Sequence, residues 1–246
     1  MSQTTSVSLQ NIPLDLLALS FIPVFVVIAL FFSWTSQYKF SIYAVSRMLA
    51  QLMLIGYVLN FVFASDSSLL MLGIVLIMVT VSSSIALNHI QNKNRQHFQI
   101  TFLALLIPGG LTLVLVTQFV LKLDPWYQPN YFIPIAGMIF ANAMTSLSLA
   151  AERFDAEFSR NNNYIESRNT AFKTAMIPQN NALLAVGLVS LPGMMTGQIL
   201  SGVSPLIAAR YQIMVMCMIY GSAGLAAAFY LFMNKTLEQD KQKNNE

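Results

Sequence analysis

Charge is what this sequence most lacks. Only 9% of its 246 residues are Asp, Glu, Lys or Arg, where a soluble globular domain carries about a quarter. With 56% hydrophobic residues and a mean hydropathy of +0.61, a water-soluble chain of this length could not hide its apolar surface. The bilayer must act as its solvent. Cysteine is nearly absent too. Cys217 stands alone, which excludes an intrachain disulfide and a Cys-based zinc site. His89 and His97 have no acidic company, so no metal site is expected at either. No G-x-x-x-x-G-K-[ST] loop occurs, so the chain does not hydrolyse ATP through a P-loop of its own. H-E-x-x-H, G-x-S-x-G, a paired Asp within the apolar runs and a Lys in the last run are all missing. Those gaps speak against protease, esterase and retinal-binding readings, and the chain is expected not to be an enzyme. The net charge of +3 is small and scattered, so no nucleic-acid partner is expected. No basic stretch precedes the first apolar run, which is therefore expected to be a retained span and not a removed signal peptide.

What is present is a series of seven apolar runs, covering roughly 14–34, 42–63, 68–88, 99–121, 131–151, 182–203 and 211–233. Unpaired backbone is costly in lipid, so these runs predict helices. The expected fold class is an all-α integral membrane protein with about seven transmembrane helices. Residues 1–233 form a single polytopic domain, and 234–246 form a polar, disordered tail. The connections 35–41, 64–67 and 204–210 are short, and the longest polar stretch is 152–181. Seven crossings place Lys39, Arg47, Lys93, Arg95, Arg153, Arg160, Arg168, Lys173, Lys235, Lys241 and Lys243 on one side, against Lys122 and Arg210 on the other. Eleven cations against two put the N-terminus outside and the C-terminus in the cytoplasm. Trp126, Tyr127 and Tyr131 at one end of the fifth run, and Trp34 at the end of the first, fall where an interfacial aromatic belt belongs.

The sixth run carries Leu191-Pro192-Gly193-Met194-Met195-Thr196-Gly197-Gln198. Gly193, Gly197 and Ser201 clear one helix face for a neighbouring backbone, and Pro192 kinks or breaks the helix. Two readings stay open: plain helix packing or dimer contact through Gly193, Gly197 and Ser201, or a transport path past Pro192, Met194, Met195 and Gln198. Gly137 and Ala141, with Thr145, repeat the small-residue stripe in the fifth run. Asn142 beside them is expected either to bond a neighbouring helix or to face a cavity. Arg47 and Gln51 are one turn apart on the second run, where Arg47 is either a topological anchor or part of the path. Fourteen methionines supply thioethers, which are soft ligands suited to Cu(I); packing is their expected role.

The sequence then resembles a known family. The residues that carry the likeness are Arg47-Met48, Gln51-Leu52 and Gly56-Tyr57-Val58-Leu59, then Pro134-Ile135-Ala136-Gly137-Met138-Ile139 with Asn142-Ala143-Met144. Most specific are Ala185 through Gly197 and Ser204-Pro205-Leu206-Ile207-Ala208-Ala209-Arg210-Tyr211-Gln212-Ile213-Met214. Together they resemble the FetB-type ABC-transporter permeases, which include bacterial iron-export permeases and plant aluminium-tolerance membrane subunits. The resemblance implies a permease subunit of an inner (plasma) membrane exporter for metal ions such as iron. It would pair with a second copy and with separate ATPase subunits, which use the ATP, and would hold no cofactor itself. It also implies an ATPase coupling loop, carried here by Tyr164, Glu166, Arg168 and Lys173. That connection lacks the family's Leu-Gly-Ala-containing segment and is shorter; its Tyr164–Lys173 stretch is expected to form a short cytoplasmic helix. A second reading is a non-transporting seven-helix receptor or membrane assembly protein.

Overall fold

A computed structural model describes residues 12–35, 38–89 and 95–244. Lys93 lies outside them, as do the side chains of His89, Lys241 and Lys243. The helices are α1 (Leu14–Leu19), α2 (Ile22–Trp34), α3 (Tyr38–Phe63), α4 (Ser68–Ala86), α5 (Arg95–Val114), α6 (Pro129–Asn161), α7 (Tyr164–Ala185), α8 (Gly193–Leu200) and α9 (Pro205–Asn244). A π-helical turn at Leu115–Val120 prolongs α5, and no β-strand occurs among the described residues. Six helical stretches are long and apolar enough to cross a membrane: Leu14–Trp34, Tyr38–Phe63, Ser68–Ala86, Arg95–Val120, Pro129–Asn161 and Pro205–Lys235. The protein is an all-α, multi-pass membrane protein.

The chain forms two compact units, divided after Ser65. In the first, α2 packs on α3, with the rings of Phe32 and Tyr38 edge-on at 5.0 Å. No residue of α2 is buried, yet it is apolar on every side, as a helix facing lipid must be.

The second unit is built around α6, which packs against α4, α5, α7 and α9. Its buried positions Ile135, Ile139, Phe140, Ala143, Leu147, Ala150 and Phe154 recur at helical spacing. α6 and α9 pack on one another, and both carry fully buried alanines, among them Ala143, Ala150, Ala223 and Ala227, small residues that let helix backbones draw close. Gly109 on α5 does the same against α6: a Cβ there would stand 2.5 Å from a carbon of the Phe140 ring. Pro108 leaves the α5 ladder locally short of a donor, and the Thr112 hydroxyl donates to its carbonyl at 2.8 Å, as hydroxyls do within transmembrane helices.

Three expectations need adjustment. The short helix expected at Tyr164–Lys173 is present but continues to Ala185, so the polar stretch 152–181 is the end of α6 and most of α7, joined by a tight turn. Asn162 ends α6 in the left-handed region, φ 49°, where asparagine is tolerated. Asn163 then caps α7, its side-chain oxygen accepting from the backbone N–H of Ile165 and Glu166 at 3.1 and 3.2 Å. Second, the run 182–203 is not one helix. α7 ends at Ala185, residues 186–192 form a turn, and α8 occupies only Gly193–Leu200. Gly187 (φ 85°) and Gly202 (φ 89°) take left-handed backbone at the two turns, a conformation that glycine adopts without strain. Pro192, whose ring fits the edge of a helix and not its interior, stands as the N-cap of α8. Third, the tail is helical as far as Asn244, because neither Gly nor Pro interrupts 225–244.

Candidate functional site

The interruption at 186–192 shapes a cavity of about 360 Å³ lined by the end of α7, by α8 and by α9. Leu183 and Gly187 contribute from the α7 side, Met195 from α8, and Gln212, Met216 and Cys217 from α9. Gln212 and Met216 are one turn apart and so share a helix face. Gln212 is 5% exposed, and its side-chain oxygen has no hydrogen-bond partner among the described residues. The buried side-chain oxygen of Gln198 is equally unpartnered. A buried acceptor without a donor costs about 1–3 kcal/mol; Gln212 lines the cavity, whereas Gln198 lies on α8 outside the lining residues. The break itself is locally satisfied: the Gly187 N–H donates to the Ser190 carbonyl at 2.9 Å, and the Thr196 hydroxyl to the Pro192 carbonyl at 3.2 Å.

Of the residues expected on a transport path, the cavity includes Met195. Pro192 begins α8, and Met194 and Gln198 are half-buried on it. The Asn142 amide donates to the Met138 carbonyl of its own helix at 2.8 Å. Arg47 and Gln51 lie on α3 in the first unit, with Gln51 exposed. The small-residue stripes divide. A Cβ on Gly137 would touch the Met78 methyl at an ordinary 3.5 Å, whereas at Gly193 and Gly197 nothing lies within 4 Å. Ala141 and Ser201 are exposed. Gly193, Gly197 and Ser201 therefore do not pack helices within the described chain. The close-packing glycine is Gly109, and its signal in the sequence was the Pro108-Gly109-Gly110 triplet. Gln212 and Cys217 were also missed as lining residues; a glutamine inside an apolar run was their signal.

A second feature lies where α6 turns into α7. A groove of about 560 Å³ runs between α7 and α9, lined by Tyr164, Arg168, Phe172, Lys173, Leu231 and Phe232. Tyr164 fixes its floor. Its hydroxyl donates to the Leu231 carbonyl at 2.8 Å, and its ring meets Phe154 edge-on at 5.7 Å. Arg168 and Lys235 lie 5.9 and 5.7 Å from the centre of that ring, within cation–π range. Burial pushes the Tyr164 phenol above its ordinary value, against a lowering by the Arg168 charge, so it remains a donor at neutral pH. Glu166, Arg168 and Lys173 are exposed on α7. On the last turns of α6, Glu157 is 7% exposed and paired within its own helix with Arg153 and Arg160.

The model of the Uncharacterised protein family (UPF0014) matches residues 16–237. The chain belongs to this family. Among similar proteins, the "UPF0014 membrane protein slr1647" of Synechocystis is 35% identical over 193 residues, covering 72% of this chain and 74% of that protein. The "Probable iron export permease protein FetB" of Escherichia coli is 31% identical over 214 residues, 79% of this chain and 80% of its own. "Protein ALUMINUM SENSITIVE 3" of Arabidopsis thaliana is 32% identical over 201 residues, 76% and 72% respectively. No solved structure matches the chain. The resemblance to FetB-type permeases read from the sequence is thus a family relationship, and this UPF0014 member is a multi-pass membrane protein whose relatives include one named as a permease.

Proposed function

We propose that this UPF0014 protein is the permease subunit of an ABC-type exporter of metal ions in the inner (plasma) membrane. A separate ATPase subunit powers it. The observation that carries this reading is the discontinuous helix at 186–192, with a cavity beside it that Gln212 lines with an unpartnered side-chain oxygen. Broken helices of this kind serve as substrate sites in transporters. The name of the Escherichia coli relative, an iron export permease, supports both the permease role and a metal cargo.

Counting the α7–α8 segment as one discontinuous crossing gives seven, with the N-terminus outside and the C-terminus cytoplasmic. The excess of Lys and Arg on that side supports this arrangement. The α6–α7 turn is then cytoplasmic, and the groove around Tyr164, Arg168 and Lys173 is where the ATPase docks. The open stripe of Gly193, Gly197 and Ser201 receives a second copy of the chain, since small residues at this spacing let helices approach closely. ATP is consumed by the partner alone.

The test is a deletion strain grown in separate cultures at raised iron and at raised copper, since the metal cargo is read from a relative's name alone. Cellular metal content should rise on deletion and return to normal on complementation, and an ATPase should co-purify with the tagged protein. Unchanged metal content, with no ATPase bound, would remove the transporter reading in favour of a non-transporting membrane protein.

A further inference from the structure

The geometry points to a soft, monovalent cation as the ligand of the cavity at the helix break, held by the thioethers of Met195 and Met216 and the thiol of Cys217. As a transport site, this inference rests on the permease reading above. All three sulfur residues line one cavity, although Met195 comes from α8 and the other two from α9. Thioethers and thiolates select low-valent soft metals such as Cu(I) and its analogue Ag(I), while hard cations take carboxylate and carbonyl oxygen. No group of three or more His, Cys, Asp or Glu occurs among the described residues, so no carboxylate cluster for a hard cation is assembled there.

Charge gives the same answer independently. The cavity lining contains no Asp or Glu, and an uncompensated charge in an apolar site is strongly disfavoured. The Cys217 thiol ligates as thiolate and releases one proton to solvent. A monovalent cation with one thiolate is neutral, whereas a divalent ion would leave a net positive charge. The oxidation state of the metal does not change, and the thioethers bind without losing a proton. Gln212 completes the case. Its oxygen is buried and lacks a donor, and a cation in the cavity supplies the positive partner that this oxygen is missing. Methionine side chains have the rotational freedom to converge on an ion.

Cys217 is the chain's single cysteine and is exposed, so its alkylation by N-ethylmaleimide, read by intact mass, reports on the site. The full chain, purified in detergent in chloride-free buffer, is titrated with Ag(I) before alkylation. Ag(I) should protect Cys217, and the doubly substituted Met195→Leu/Met216→Leu protein should need about tenfold more of it. Met144→Leu, at a distant methionine, should behave as the unsubstituted chain does. Zn(II) and Fe(II) should not protect at the same concentration. Equal protection in the double variant, or equal protection by Zn(II) or Fe(II), overturns the inference. Alkylation rate without metal and gel-filtration profile check that the variant is folded; if it is not, Met195→Leu alone is used with a smaller shift expected. The permease reading is judged separately by metal content of the deletion strain. Loss of the silver effect with a deletion phenotype removes the site and keeps the permease, and the opposite pattern does the reverse.

Discussion

At Gly109 a methyl group would land 2.5 Å from the Phe140 ring, and Phe140 is itself 1% exposed, so neither side can yield cheaply. Gly109→Ala should therefore destabilise the protein by about 1–3 kcal/mol, seen as a lower thermal midpoint in detergent. In the monomer, Gly197→Ala should leave that midpoint unchanged, because nothing of its own chain lies within 4 Å of its Cβ position. The two glycines were not distinguishable by type. The G-x-x-x-G spacing drew attention to Gly193 and Gly197, while the glycine that is covered sits after a proline in another helix. Spacing reports which residues share a face; it does not report which face is covered. The same limit applies to Asn142, a polar residue in an apolar helix that satisfies itself on the Met138 carbonyl.

Among the elements, α7 was the hardest to read. Its buried residues are Ser167, Ala171, Ala175, Met176 and Gln179, mostly small or polar, so no apolar stripe announces a helix. What marks it is the run Asn161-Asn162-Asn163, which stops one helix and caps the next. Asn163→Ala removes the two cap bonds and should cost about 1 kcal/mol, with faster hydrogen exchange confined to the first turn of α7. The six long apolar helices were legible because lipid demands continuous hydrophobicity, though α6 runs past the expected end at 151 to Asn161 and α9 starts at Pro205 and not at 211. The run 182–203 was legible as apolar and as kinked or broken at Pro192, but not as leaving the helix already after Ala185. Hydropathy is blind to the left-handed backbone at Gly187, and the sequence reading placed the disturbance at Pro192 alone.

For the molecule as a whole, the predictions concern what meets it. Arg168→Glu with Lys173→Glu reverses the groove's charge at two exposed positions and should abolish ATPase co-purification without altering expression. Gly197→Leu fills the open stripe and should convert a dimer to a monomer by light scattering in detergent; an unchanged mass would exclude that face as the contact.

Both the cavity and the groove draw side chains from α9, one through Gln212 and Met216, the other through Leu231 and Phe232. Between Gln212 and Leu231 that helix is unbroken and about 28 Å long at 1.5 Å per residue. A continuous helix resists shortening, since each lost increment would stretch its hydrogen-bond ladder. A push or twist delivered at one station is therefore felt at the other as the same stroke, and α9 acts as a connecting rod between the groove and the cavity.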